Sequence, residues 1–257
     1  MGQLNKKKII LIFFFITSLF EHVFAQENHV ELGSDMSDQQ NEVSEKYNKH
    51  FFYGVSLSID LFSPIQKLFS DYGGVEAGAH ANFLNTYFPV VELGLGFCNH
   101  KNGNTNIKYE TSDPYFRVGL DYNILKDKYQ SNILYVGARY GFSFFNFNIS
   151  GPDIVDPIWK VKEPFSYSNI NSNSHWIEFL AGVKIKLWHN IHMGWTIRFK
   201  HLLSSGKSQY CEPYYIPGYG TTVSSSTWGG SYSIIFDLNL FKQKYINPNS
   251  ISPHKIQ

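Results

Sequence analysis

The chain has 257 residues, a net charge of +1 and 17% charged residues, which excludes the strongly basic surface typical of a nucleic-acid-binding protein. Aromatic residues also make up 17% of the chain. Low charge combined with many aromatic residues is typical of a protein whose outer surface contacts lipid. Beyond the N-terminal region there is no apolar run of about 18 residues, so a membrane-spanning structure would have to be a closed barrel.

The N-terminal region has the three parts of a secretory signal peptide. The basic segment MGQLNKKK precedes the apolar run IILIFFFITSLF, and VFA then precedes Gln26. This pattern predicts export and cleavage after Ala25, giving a signal peptide at residues 1–25. A membrane anchor is the alternative, but the apolar run is short for one. Residues 26–50 are polar and mildly acidic, which predicts a flexible segment before the folded domain.

Residues 51–242 contain segments in which apolar and polar residues alternate strictly. In the clearest one, the odd positions from Ile177 to Leu187 are apolar and the even positions include Glu178, Lys184 and Lys186. Such alternation predicts β-strands with one face in an apolar medium and the other in a polar one. Eight segments follow this rule: residues 51–61, 75–83, 91–98, 115–124, 134–145, 177–187, 193–200 and 231–240.

The polar faces of these predicted strands carry all of their charges, together with many glycines. Glycine makes room between long side chains in an eight-stranded barrel, whose interior is narrow. The connections also alternate between long and short, as in outer-membrane barrels. The sequence therefore predicts an all-β fold, an eight-stranded antiparallel up-and-down transmembrane β-barrel with an apolar exterior and a charged, Gly-rich lumen. The predicted lumen charge network is Asp60, Glu76, His80, Glu92, Arg117, Asp121, Arg139, Glu178, Lys184, Lys186, Arg198, Lys200 and Asp237.

Alternation alone leaves open a lipocalin-like barrel, which binds a small ligand and has its apolar face inward. Exclusively apolar residues on one face, the aromatic content and the alternating connection lengths favour the membrane barrel. In that arrangement, aromatic residues on the apolar face are candidates for the membrane interface. These are Tyr53, Tyr122, Tyr140, Trp188, Trp195 and Tyr232.

The turn between the sixth and seventh strands follows from parity. Directly paired residues share a face, so their numbers should sum to an even value when both apolar faces fall on odd numbers. A two-residue turn would pair Trp188 with Ile191, which gives an odd sum. We therefore expect a three-residue turn at 189–191, with Asn190 or a neighbour in the left-handed region.

Several segments resemble an uncharacterised family of small outer-membrane β-barrel proteins, with a domain of unknown function, from Bacteroidetes-type bacteria. They are YGVSLSIDLFSPI, YFRVGLDYN, YVGARYGFS, HWIEFLAGVKIKL and YIPGYG, spread over residues 52–243. The resemblance implies the fold and an outer-membrane location, and it brings no activity or catalytic residue. Residues 243–257 form a polar C-terminal tail. Outer-membrane barrels commonly end at an aromatic residue instead.

The sequence has no cluster of Cys or His residues at the spacing of metal ligands and no G-x-S-x-G nucleophile elbow. We therefore expect no cofactor, no metal site and no enzyme activity. Cys98 and Cys211 could pair in an oxidising compartment, or remain free thiols. A lipid-modifying enzyme is an alternative, with His80, His175 and His201 as candidates. The Tyr-, Ser- and Gly-rich connections suit a structural role or surface interaction. Expected partners are outer-membrane lipid, the barrel-assembly machinery and a surface ligand or protein, but no nucleic acid.

Overall fold

A computed structural model describes residues 51–128, 131–155, 158–206 and 211–239. The predicted signal peptide, the segment at residues 26–50 and the tail at residues 243–257 lie outside these ranges. The elements are β1 (Phe52–Asp60), α1 (Phe62–Phe69), β2 (Tyr72–Phe83), β3 (Tyr87–Lys101), β4 (Lys108–Asn123), β5 (Ile133–Ser150), β6 (Ile154–Val155), β7 (Lys162–Glu163), β8 (Ser166–Trp188), β9 (Ile191–Ser205), β10 (Tyr215–Ile216), β11 (Gly220–Thr221) and β12 (Ser226–Asn239).

Eight long strands form one closed antiparallel barrel, as the alternation predicts. Their order around the barrel is β1-β12-β9-β8-β5-β4-β3-β2, so neighbours in the chain are neighbours in the sheet and β1 pairs with β12 to close the ring. The short pairs β6-β7 and β10-β11 form two separate hairpins. Closure leaves no strand edge along the paired part of the ring, which protects the sheet from edge-to-edge association.

The two faces of the wall have the predicted orientation. On β3, Leu93 is 58% exposed on the outside, whereas Glu92 beside it is 4% exposed and points into the lumen, the space enclosed by the barrel. The same contrast holds on β4, where Val118 is outside and Arg117 is inside. A lipocalin-like barrel would have its apolar face inward, so this alternative is wrong.

Several connections expected from the sequence are ordered structure. Both ends of the stretch from residue 147 to 174 belong to β5 and β8, which extend beyond the other strands and end in the small β6-β7 hairpin. Longer strands were not predicted here because residues 146–174 are rich in Asn and Ser and lack apolar alternation. The extensions nevertheless have a buried apolar side, which includes Phe147 and Ile170.

The connection after β1 contains the helix α1. Asp60, predicted as a member of the lumen charge network, is buried and instead caps this helix. Its carboxylate accepts backbone N–H bonds from Phe62 at 3.2 Å and Ser63 at 2.9 Å. These N–H groups have no acceptor inside the first helical turn, so the carboxylate satisfies them and fixes where the helix begins.

Bulges change the parity at two places. The register shifts between Phe52 and Gly54, where Gly54 has a φ of 151°, and Tyr53 is turned into the barrel with 4% exposure. The prediction of Tyr53 as an interface aromatic is therefore wrong. The β8-β9 turn has two residues and pairs Trp188 with Ile191, contrary to prediction, and a bulge between Lys186 and Trp188 restores parity. The left-handed neighbour is His189, with a φ of 43°.

Candidate functional site

The centre of the lumen holds ion pairs between side chains from five strands. Arg117 Nη2 lies 2.7 Å from Glu76 Oε2, and its Nη1 lies 2.7 Å from Glu92 Oε2. Arg198 Nη1 lies 2.8 Å from the same Glu92 oxygen and 3.2 Å from Glu178 Oε2. Each arginine therefore bridges several carboxylates, which compensates for removing the charges from water.

The ion pair between a third arginine, Arg139, and Asp121 extends this group. Both terminal nitrogens of Arg139 donate to the two oxygens of Asp121 at 2.8 Å, the bidentate geometry that suits a guanidinium and a carboxylate. Arg139 Nε also lies 3.4 Å from Glu92. We call the connected set the central ion-pair network; its members are Glu76, Glu92, Arg117, Asp121, Arg139, Glu178 and Arg198. Four carboxylates face three guanidinium groups in it, and the ammonium of Lys200 lies on the same inner face.

Two aromatic residues also donate hydrogen bonds to carboxylates of the network. Trp176 Nε1 donates to Glu178 Oε1 at 2.7 Å, and the Tyr115 hydroxyl donates to Glu76 Oε2 at 2.6 Å. Both side chains are buried. The predicted lumen charge network omits both residues because they carry no charge. The even number of Trp176 and the odd number of Tyr115 nevertheless place each on the inner face of its strand.

The remaining predicted lumen charges are placed differently. Lys184 Nζ lies 2.6 Å from Asp237 Oδ1, and His192, absent from the predicted set, lies 3.4 Å from the other oxygen of that carboxylate. Lys200 donates to the backbone carbonyl oxygens of Gly218 at 2.7 Å and Tyr219 at 3.2 Å. Lys186 is exposed at the end of β8, so its predicted place inside the lumen is wrong.

The structure brings Ser58, His80 and Asp121 together, a set that spacing in the sequence did not reveal. His80 Nε2 lies 3.3 Å from Ser58 Oγ, and Nδ1 lies 3.7 Å from Asp121 Oδ2. The order resembles a hydrolase triad. However, both oxygens of Asp121 are engaged by Arg139, and the adjacent cavity of about 30 Å³ has room for little more than a water molecule. His175 contacts Tyr140 on the outside, and His201 contacts Ser226 at the end of β9.

One mouth of the barrel is closed by the segment between β9 and β12. Tyr215, Ile216 and Tyr219 of this segment are buried against inward-facing side chains of the wall. The wall residues in this apolar cluster are Cys98, Tyr109, Tyr115, Phe145, Phe147, Ile170 and Trp176. We call residues 211–225 the plug. The Tyr109 hydroxyl donates to the Tyr215 carbonyl oxygen at 2.8 Å, and burial raises the pKa of the Tyr215 hydroxyl.

Cys98 and Cys211 are free thiols, so the structure does not contain the disulfide considered from the sequence. Cys98 is buried in the apolar cluster and Cys211 packs against it from the plug. Burial raises the pKa of the Cys211 thiol, which lowers the fraction of reactive thiolate at neutral pH. The plug is therefore held by apolar packing and hydrogen bonds rather than by a covalent bond.

The other predicted interface aromatics lie on the outside of the wall. Trp188 is exposed next to the β8-β9 turn, and Trp195 is half-buried on the outward face of β9. Tyr122, Tyr140 and Tyr232 are exposed on β4, β5 and β12. Within the described ranges, no group of three or more His, Cys, Asp and Glu side chains is placed to hold a metal ion.

The sequence matches the DUF6048 family, described as a domain of unknown function, over residues 7–243. The chain belongs to this family. Its resemblance to a family without assigned function is thereby confirmed, and the Bacteroidetes-type origin stays a prediction. No curated protein sequence matches the chain.

Among solved structures, the crystal structure of Neisserial surface protein A has 12% sequence identity and a TM-score of 0.39. The match covers 74% of this chain and 98% of that one. Separately, none of the helices in the described ranges has the length and apolarity needed to cross a membrane.

Proposed function

We propose that this DUF6048 protein is an outer-membrane β-barrel with a closed lumen and a structural or surface-interaction role, reached through a cleaved signal peptide. The observation that carries the proposal is the inside-out distribution of polarity. Charged side chains are buried in the lumen, whereas the outward positions of the wall are exposed and apolar. In water, this much exposed apolar surface would drive aggregation, and in a bilayer it would be solvated by lipid.

The height of the apolar surface supports this location. On β3 the outward apolar positions run from Tyr87 to Phe97, and directly paired positions on β4 run from Tyr122 to Ser112. Ten residue steps at about 3.3 Å each, on strands tilted by about 40°, correspond to a band of about 25 Å. Outer-membrane barrels have an apolar band of about this height.

The interior supports a role without conduction. The central ion-pair network fills the middle of the lumen, and the plug closes one mouth. An eight-stranded barrel is too narrow for an open water-filled channel, and here the charged side chains at its centre are paired with one another. A porin-like pathway would require both blocks to be displaced.

A surface-interaction role is favoured by the protruding β5-β8 hairpin. At its tip, the apolar residues Ile154, Val155 and Val161 are exposed. Exposed apolar side chains clustered at a protruding tip are typical of binding surfaces. In the proposed orientation this tip is the part of the protein farthest from the membrane on the cell surface.

Two measurements in membranes test the proposal. We expect the folded protein to run faster than the boiled protein on a denaturing gel, as closed barrels do. We also expect protease added to intact cells to cleave the protein near the β6-β7 hairpin and to spare the β8-β9 turn. Fractionation of the protein with soluble periplasmic contents would contradict the outer-membrane location.

The surface role is tested by pull-down from intact cells. The matched variant replaces Ile154, Val155 and Val161 with serine and leaves the barrel wall unchanged. Loss of a captured surface component in this variant would support interaction through the tip. Equal capture by both proteins would contradict interaction through the tip, and no capture by either would leave the purely structural role.

A further inference from the structure

The barrel wall has a gap on one side. β1 ends at Asp60, where its last pairs are Asp60 with Ser233 of β12 and Ile59 with Ala77 of β2. β2 and β12 both continue past this level, and no described strand lies between Tyr72–Glu76 of β2 and Ser226–Ser231 of β12. We call this gap the lateral seam.

The lateral seam lies at the level of outward apolar residues elsewhere in the wall. Across β2, Val75 pairs with Leu95 of β3, which is exposed on the outside. Across β12, Trp228 pairs with Phe199 of β9, and Trp228 is 72% exposed. In the proposed orientation, the seam therefore opens toward the outer leaflet and not toward bulk water.

Helix α1 covers the seam with an unusual orientation. Its apolar residues Phe62, Ile65, Leu68 and Phe69 are exposed. The polar residues Ser63 and Gln66, together with part of Phe62, line a cavity on the side opposite Ile65, Leu68 and Phe69. A surface helix in water buries its apolar stripe, so α1 has the polarity expected of a helix with lipid outside and a polar space inside.

The helix packs tightly on only one border of the seam. An added Cβ at Gly73 of β2 would lie 2.6 Å from the Cβ of Lys67, so the helix is in close contact there. On the other border, β12 contributes Gly229 and Gly230, which have no side chains to fill the space. An added Cβ at Gly230 would meet only the Thr196 carbonyl oxygen, at 3.6 Å.

Behind the seam is a cavity of about 390 Å³ that reaches the edge of the central ion-pair network and the plug. Of the carboxylates in its wall, Asp60 is occupied by the N–H groups of α1 and Glu76 by Arg117 and Tyr115. Lys200 bonds to two backbone carbonyl oxygens and forms no ion pair with a described carboxylate. Because an ammonium has three N–H donors, one remains for a ligand.

A second donor in this wall also lacks an acceptor. Arg198 lines the cavity, and its buried Nε–H has no hydrogen-bond partner among the described residues. Buried donors without acceptors are rare in proteins, and each requires an explanation such as a bound ligand. Lys200 therefore offers a free N–H donor to an oxyanion in the cavity, and the unpaired Nε–H belongs to a residue of the same wall.

We propose that the lateral seam admits one amphiphile whose phosphate head group has a net negative charge, so that the head binds beside Lys200 and Arg198 and the acyl chains leave along the apolar face of α1. This inference rests on the proposed membrane location, because the acyl chains need lipid or detergent outside the seam. It assigns a binding site and no reaction.

The experiment titrates the purified full-length barrel, in a neutral detergent, with phosphatidylglycerol or phosphatidylcholine and counts bound lipids by native mass spectrometry. We expect one phosphatidylglycerol to bind at about tenfold lower concentration than phosphatidylcholine, because the choline of phosphatidylcholine cancels the charge of its phosphate and weakens the attraction to the Lys200 ammonium. Lys200→Met should remove this preference, and Lys200→Arg should retain it. Lys186→Met, outside the cavity, is the matched control and should bind like the wild type.

A second variant tests the seam without changing a charge. Gly230→Trp should lower binding of both lipids by closing the gap, while the space at this position lets the barrel fold. Equal binding of the two lipids by the wild type, or wild-type binding by Gly230→Trp, would overturn the proposal. A mass shift from inorganic phosphate with no lipid bound would identify a phosphate site and overturn lateral entry.

The failure of this inference can be told apart from failure of the proposed function. Each sample is first tested for heat-modifiable migration. A heat-modifiable barrel that binds no phospholipid contradicts the lateral site alone. A protein that is not heat-modifiable contradicts the membrane barrel itself.

Discussion

The indole N–H of Trp176 donates a 2.7 Å hydrogen bond to Glu178, two residues away on the same strand. Both side chains are fully buried, although one is apolar in composition and the other is charged. The pair joins the apolar cluster beneath the plug to the central ion-pair network. Packing of the plug and pairing of the charges are therefore connected through this hydrogen bond and through the one from Tyr115 to Glu76.

Trp176→Phe should lower the stability of the folded barrel in detergent. The variant keeps an aromatic ring but removes the donor to Glu178, and hydrogen bonds to charged groups contribute about 1.5–3 kcal/mol. Thermal unfolding followed by heat-modifiable migration measures the change. Trp188→Phe, at an exposed position, is the control and should unfold at the wild-type temperature.

Arg117→Ala should destabilise the barrel more strongly, because it leaves Glu76, Glu92 and Glu178 with fewer partners in a buried site. The expected loss is about 3–5 kcal/mol if the site is dry. Lys108→Ala is the control, because its ion pair with Glu110 is partly exposed and should contribute little.

We expect neither wild type nor Arg117→Ala to conduct ions in planar bilayers, since the plug still closes one mouth of the variant. Regular single-channel currents from the wild type would contradict the closed lumen. Currents from the variant alone would instead show that the ion pairs are the main block.

Asp60→Ala should release the N-terminus of α1. The variant removes the acceptor for the backbone N–H groups of Phe62 and Ser63 in α1 and of Tyr232 in β12, and loss of an acceptor at a helix start costs about 0.5–2 kcal/mol. Hydrogen exchange should become faster in residues 62–69 and stay slow in β4. Asp71→Ala is the control, because Asp71 is exposed beyond the end of α1 and should leave exchange in that helix unchanged.

Both cysteines should be titratable as free thiols after unfolding without a reductant. In the folded protein, the raised pKa of Cys211 should make its alkylation slow at neutral pH and faster only as the pH rises toward that pKa. Mass spectrometry of the alkylated peptides separates Cys211 from buried Cys98. A protein that lacks two hydrogens and reacts at neither site would contain the disulfide.

A fluorophosphonate probe should not label Ser58. The hydroxyl lies 3.3 Å from His80, but the neighbouring cavity is about the size of one water molecule. Intact-mass measurement of the wild type and of Ser58→Ala checks this expectation. Labelling that is lost in Ser58→Ala would revive the enzyme alternative.

Parity made the wall of this barrel predictable, because a residue on a regular strand can face only two ways. Glu92, Arg117 and Arg139 lie inside the lumen, and the outward position of Leu93 follows from the same rule. Tyr53 broke the rule because a one-residue bulge at Gly54 reverses the faces that precede it, and a bulge leaves little trace in an apolar run.

The plug and the role of Asp60 could not be predicted from the sequence, because they depend on structure that the alternation pattern does not encode. The plug is rich in Tyr, Pro and Gly, a composition equally suited to a solvated loop, and its burial follows from apolar partners more than 60 residues away, such as Tyr109. Likewise, Asp60 lies at a position where the alternation predicts a lumen residue. Its role changed because the chain turns into a helix immediately afterwards.

The lateral seam also bears on how the barrel assembles. Most neighbouring strands are hairpin partners, whereas β1 and β12 are the first and last strands and pair only over Gly54–Asp60. Contacts between distant parts of a chain carry the largest loop-closure entropy and form late. This short junction is thus also the last to form, and whatever occupies the seam would be enclosed at the moment the ring is completed.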